Sequence, residues 1–261
     1  MTTEDFITEL FYRVDNRLKG VAKHSQAKLY PSEVVTIALL FALKGGHGRA
    51  FYRWLSRDYQ ALFPNLPERT RLFRLFASHQ YLTTRFMAEL TLFGLIDSYG
   101  IELIHPIREG RSKKQIGQKG ISNHRWIVGA KLCLLLNKFG LVVDWDFGLA
   151  NQYDGDFQHL VVKVVEQMIV FADSHFHNQV GDPPNLKICP RGTWNERMVI
   201  ETVLSMLTVV SHFKKVFHRT WTQFQARLAY TMAGFNLFAS WDGLIPDEDG
   251  FVPLSIAQFS L

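Results

Sequence analysis

Along residues 3 to 90, apolar positions recur at three- and four-residue spacing, as on one face of a helix. Four stretches carry the pattern: "EDFITELFYRVDNRLKGV", "PSEVVTIALLFALKGG", "RAFYRWLSRDYQALF" and "PERTRLFRLFASH". Pro31 suits a first helical position and Gly45 a stop. From about residue 91 the pattern changes to short apolar runs bounded by polar or glycine-containing turns. "LTLFGLIDS", "WIVGAKLCLLLN", "LVVDWDFGLA", "QMIVFADS" and "LKICP" read as strands, with "GDFQHLVVKVVEQ" a helix before the fourth. Two more helices follow, "WNERMVIETVLSML" and "QFQARLAYTMAGFNLFASW".

Three strands in succession, then helix, strand, short strand and helix, predict an α/β fold in which helices flank a mixed sheet. A boundary near residue 90 separates a helical region, 1–90, from a sheet-containing region, 91–261. In the helix after the last strand, 100° per residue sets Val199, Val203, Met206 and Val210 on one side. Trp194, Arg197, Glu201, Ser205, Thr208 and His212 share the other, which is either a solvated face or one that meets a ligand.

Composition narrows the class. The 261 residues are 47% hydrophobic and 20% charged, enough for a sizeable core and unlike a disordered chain. Cys133 and Cys189 form no CxxC pair, so neither a disulfide framework nor a zinc site is expected, and a reducing cytoplasm is the expected setting. No apolar run approaches the roughly 18 residues that span a bilayer, and "MTTEDFITEL" is acidic and polar, so neither membrane insertion nor secretion is expected.

The net charge of +5 suits an anionic partner, and its distribution says more. Residues 1–90 hold 13 Lys/Arg against 8 Asp/Glu, whereas the remainder holds 16 of each. Arg49, Arg53 and Arg57 recur every four residues, and Arg71 and Arg74 lie three apart; such faces either contact phosphates or are simply solvated. Between 108 and 138 lie Arg108, Arg111, Lys113, Lys114, Lys119, Arg125, Lys131 and Lys138, against Glu109 alone.

Asp97 ends "FGLI" and Asp173 ends "IVFA", each at or just past the end of an expected strand. An aspartate there is a turn former or cap, or else a ligand in the crevice beyond strand ends. Paired carboxylates with an open side suit Mg²⁺, and two ions about 4 Å apart support in-line phosphoryl displacement. Glu201, on a facing helix, is available as a third ligand.

The ordered set Asp97, Asp173 and Glu201, the last within Trp194-x-x-Arg197-x-x-x-Glu201, resembles the DDE transposases of bacterial insertion sequences. The likeness is to the branch with a tyrosine-arginine-glutamate-lysine signature around the third acid. "IDS", "GQKGISNHRWIVGAKL" with Gly129 and Lys131, "GLANQYDGDF" with Asn151 and Asp154, and "FADSHF" look like the same family. The resemblance spans roughly residues 92 to 240 and implies an RNase H-like fold behind a helical DNA-end-binding region.

It further implies that Asp97, Asp173 and Glu201 are catalytic and hold two Mg²⁺ ions, with Mn²⁺ as a substitute. Arg197 orients Glu201 or contacts DNA, and Trp194 takes the aromatic position near the DNA backbone. Thr208 stands where the family has lysine, and Lys214 or Lys215 is the nearest replacement charge. Lys113, Lys114, Lys119, Arg125 and Lys131 counter phosphates near the site, while Arg49 and Arg53 lie in the end-recognising helices. The implied partner is double-stranded DNA, bound by a homodimer in the bacterial cytoplasm at the nucleoid. The reaction is phosphodiester hydrolysis followed by joining of the 3′ ends to target DNA. Two rivals stand beside this reading: a structure-selective nuclease of the same fold, and an inactive transposase-derived DNA-binding protein.

Other residues have simpler roles. Asp144 and Asp146 alternate on an outward strand face, Asp154 suits a turn or cap, and His175 and His177 lack companions for a transition metal. Ser98 has no GxSxG elbow, and neither GxGxxG nor a P-loop occurs.

Overall fold

The computed structural model describes the chain apart from residues 1, 123–124, 191–196, 214–215, 217, 246–247, 249–251 and 260. Four helices come first, α1 (Thr3–Arg17), α2 (Pro31–Lys44), α3 (Gly48–Asp58) and α4 (Arg69–His79). Their boundaries follow local chemistry. Thr2 and Asp5 form a reciprocal capping box at α1, and the Glu33 carboxylate accepts the Tyr30 N–H at 2.6 Å where Pro31 opens α2. Gly45 ends α2 at φ 67°, a conformation that glycine adopts without strain.

Six strands follow: β1 (Phe93–Ile104), β2 (Gln118–Ser122), β3 (Arg125–Asn137), β4 (Val142–Leu149), β5 (Ile169–Ala172) and β6 (Leu186–Ile188). They form one mixed sheet of order β2-β3-β1-β5-β6, with β4 also paired to β3. β3 runs antiparallel to β1, β2 and β4, whereas β5 is parallel to β1 and β6 to β5. α5 (Gln158–Val162) lies between β4 and β5, and α6 (Arg197–Val209) and α7 (Trp221–Ala239) follow β6. The mixed sheet flanked by helices is therefore as the sequence predicts.

Period-two alternation gives the sheet two buried faces. Leu95, Ile101 and Leu103 of β1 and Leu132, Leu134 and Leu136 of β3 join α6, α7 and the N-terminal helices in one apolar cluster. On the opposite face Ile96, Cys133, Leu135, Val170 and Ala172 pack with Phe157, Leu160 and Val161 around α5.

α7 ties the first face together. Almost every residue from Phe224 to Phe238 is buried, so the helix is a core element and not an amphipathic one. The Arg227 guanidinium donates to the carbonyls of Phe41, Ala42 and Ser211, the last two at 2.7 and 2.9 Å. Asn236 accepts the Val142 N–H at 2.8 Å and donates to the carbonyls of Phe86 and Val142. Helices from both ends of the chain thus share a core.

Three expectations change. β1 runs on through "DSYGIELI", so Asp97 is its fifth residue and lies inside the strand, not at its end. The helix expected over 155–167 is reduced to the five residues of α5, with turns after it. On α6 the fully buried spine is Ile200, Val203 and Leu207, while Val199, Met206 and Val210 are half-buried beside it. Among the described residues no single helix is long and apolar enough to cross a membrane.

Candidate functional site: paired aspartates and dispersed cations

Parallel pairing of β1 and β5 sets Phe93 opposite Ile169, Gly94 opposite Val170 and Leu95 opposite Phe171. The paired register ends there; extended by two residues it would set Asp97 opposite Asp173, which lies one residue past the end of β5. Asp97 shares the strand face of Leu95, the face that α6 and α7 cover. Both aspartates are half-buried. Asp97 Oδ1 accepts the Ser98 N–H at 2.7 Å. Asp173 caps the short turn after β5: its Oδ1 accepts the His175 N–H at 2.9 Å, and His175 Nδ1 lies 3.2 Å from Oδ2. The capping role is thus occupied, and the crevice position is occupied by the same residue.

Glu201 is exposed on α6, the helix that packs over β1. Ser205 is exposed along the same stripe and Thr208 is half-buried, whereas His212, expected on that stripe, lies past the end of α6 with φ 52°. Among the described residues no group of three or more His, Cys, Asp or Glu is placed to hold a metal ion. As a donor set, two hard carboxylates at the join of parallel strands suit one divalent cation. Glu201 does not close a three-acid cage with them. Trp194, Lys214 and Lys215 lie outside the described residues, as does the side chain of Arg197.

The opposite face of the sheet holds its own charges in pairs. Lys131 Nζ lies 2.7 Å from Asp154 Oδ1 and donates to the Gln152 carbonyl at 2.6 Å; the two side chains are only 15% and 17% exposed. Ser98 Oγ donates to the same Asp154 oxygen at 2.7 Å. Lys131 is therefore held by an internal carboxylate. Asp144 pairs with Lys163 at 2.8 Å, and Asp146 lies 2.9 Å from His159. Asp182 accepts from the Asn178 N–H and lies 2.8 Å from His177 Nδ1, an arrangement that lowers its pKa. The pKa of the Cys133 thiol is raised well above its ordinary value, chiefly by burial and further by the charges of Asp97, Asp154 and Asp146.

The remaining cations are more open. Lys113, Lys114 and Arg125 are exposed, whereas Lys119 lies 3.9 Å from Glu109 and 5.0 Å from the Trp126 ring centroid. Trp126 and Ile121 face each other across β2 and β3 with more than half their surface exposed, an aromatic patch among basic residues. Arg49 and Arg53 line a cleft that also receives Arg219 and Arg227 from the opposite end of the chain. The sequence reading missed that grouping because no periodicity links such distant positions; "KGGHGR", a glycine-rich entry to an arginine-bearing helix, was its one local signal. Comparison with protein-family models, curated proteins and solved structures finds no match for this chain.

Proposed function

We propose that the chain is a DDE-type DNA transposase with an RNase H-like sheet, cutting phosphodiesters at the ends of its own element and joining the freed 3′-hydroxyls to target DNA. The observation that carries this reading is the parallel register of β1 and β5, which pairs Leu95 with Phe171 and so directs Asp97, two residues on, toward Asp173, just past the end of β5, on the face that α6 covers. The strand order supports it: four strands joined antiparallel, then two added in parallel, with Asp97 in one of the two strands that meet at the junction and Asp173 just past the other. Asp97 and Asp173 would hold a divalent ion, with Glu201 on the helix above them. When bound, such an ion supplies Lewis acidity and an activated oxygen. The protein's own groups then orient the carboxylates: the Ser98 and His175 amides fix one oxygen of each aspartate.

A second reading, a transposase-derived DNA-binding protein without cleavage activity, is favoured by the lack, among the described residues, of three acids placed together to hold a metal ion. One experiment separates the two. A plasmid carrying the DNA that flanks the coding region is incubated with Mg²⁺ or Mn²⁺ and with wild type, Asp97→Asn, Asp173→Asn or Glu201→Gln. End-specific cuts and joined products from wild type, lost in all three variants, are expected. Cutting retained in all three variants excludes the carboxylate mechanism; binding without cutting by wild type favours the second reading.

A further inference from the structure

A cleft of about 1220 Å³ opens between α3, α4 and the described residues between α6 and α7, among them His212, Val216 and His218. Its described lining contains seven Lys and Arg residues and three His, but neither Asp nor Glu. Arg49, Arg53, Arg69, Arg74 and Arg219 are exposed there, and Arg227 is buried behind them. None of these six arginines is paired with a carboxylate among the described residues; Arg227 is held by three backbone carbonyls alone. Like charges gathered without counter-charge repel one another, and a low-dielectric cleft lined by one sign concentrates the field on whatever enters.

The backbone adds to that field. The first turns of three helices line the same cleft: Gly48, Arg49 and Ala50 of α3, Arg69 and Thr70 of α4, and the cap Thr220 with Gln223 of α7. Each start leaves N–H groups without helical partners and carries about half a positive charge. None has an acid in its first turn, and neither α3 nor α4 has a side-chain cap. Glu68, which precedes α4, does not line the cleft. The approach to α3 is made by glycine: a Cβ on Gly45, at φ 67°, would meet the His212 ring at 2.7 Å.

We propose that this cleft binds a chain of phosphates narrower than a duplex, either the backbone of one nucleic-acid strand or free polyphosphate. Its volume, about 1220 Å³, is somewhat above the range of about 300–1,000 Å³ for small-molecule pockets, the scale of a few linked phosphates and not of a duplex segment. The site is distinct from the aspartate pair. The α6–α7 segment meets β1 where the Val216 N–H donates to the Glu102 carbonyl, five residues and about 17 Å along the strand from Asp97. Binding there needs neither metal nor strand cleavage.

The test uses full-length protein in EDTA, so that its outcome is independent of any cutting activity. Fluorescence anisotropy follows a labelled single strand of about eight nucleotides, its duplex form, and displacement by inorganic tripolyphosphate. The single strand is expected to bind, and the cleft variant Arg53→Glu with Arg74→Glu is expected to lower its affinity more than that of the duplex. This variant weakens single-strand binding about tenfold or more and flattens the logarithmic salt slope by about 0.7 per lost phosphate contact, while Lys28→Glu changes neither. Both arginines are exposed, and an unaltered thermal melt confirms that the variant is folded. Displacement by equimolar tripolyphosphate assigns the site to free polyphosphate, and failure to displace assigns it to a strand. The proposal is overturned if neither anion binds, if the double variant binds the single strand as wild type does, or if it weakens duplex binding as much as single-strand binding.

Discussion

Lys131 and Arg53 look alike in the sequence, each a cation within a periodic apolar pattern, yet their surroundings are opposite. Lys131 lies on the α5 side of the sheet, where Asp154 neutralises it at 2.7 Å and Ser98 completes the network. Arg53 lies on the wall of a cleft whose described lining has no acid. A buried pair contributes through mutual compensation, since losing one partner strands the other charge. An uncompensated cluster contributes little to the fold and makes an external anion the missing counter-charge. A count of basic residues does not distinguish these cases; the position of the nearest carboxylate does.

Lys131→Met gives the sharpest contrast. It leaves the half-buried Asp154 with the Ser98 hydroxyl alone, so unfolding free energy by urea titration should fall by about 3–5 kcal/mol, with no change in the salt slope of nucleic-acid binding. A slope reduced by about 0.9 with stability intact would instead make Lys131 a phosphate contact.

His218, on the cleft, gives the next largest effect. Burial, helped by the nearby Arg227 charge, lowers its pKa from 6.5 to about 4. The folded state keeps this histidine neutral while the unfolded chain takes up a proton, so its contribution is complete above pH 6.5 and disappears as pH falls toward 4. Urea titrations at both ends of that window should differ by up to about 3 kcal/mol on this account, and His218→Gln should remove that part of the difference. An unchanged pH dependence in the variant would mean that His218 is protonated in the fold.

The smallest effect belongs to the exposed Lys163–Asp144 pair on the sheet's other face. Lys163→Ala should shift stability by no more than about 0.5 kcal/mol, because water and salt screen both charges. A loss of several kcal/mol would erase the distinction between this pair and Lys131–Asp154.

The sheet was largely legible because its strands are apolar runs between turn residues, as in "WIVGAKLCLLLN". Asp97 was misplaced because "DSYG" has the composition of a turn. In the fold, its alternation continues the strand, with Asp97 and Tyr99 on one face and Ser98 and Gly100 on the other. Gly129 permits the close crossing, since a Cβ there would lie 1.9 Å from the Ile101 carbonyl oxygen. Asp173 at the end of its strand and the exposure of Glu201 and Ser205 on α6 were readable from period and flanking residues. The Asp154 partner of Lys131 and the convergence of three helix starts were not, because each depends on contacts between segments far apart in the chain.

The bonds from Arg227 to Phe41 and Ala42 have a consequence for the order of events during synthesis. They join residues 186 and 185 positions apart, and Asn236 reaches back 150 positions to Phe86. At about 5–20 residues per second, α2 leaves the ribosome roughly 10–40 s before the helix that covers it. Throughout that interval an apolar helix waits with its partner unmade. The nascent protein is therefore most vulnerable to aggregation and most dependent on chaperones before α7 emerges, and truncation within α7 exposes the core of the first helices as well as removing the last one.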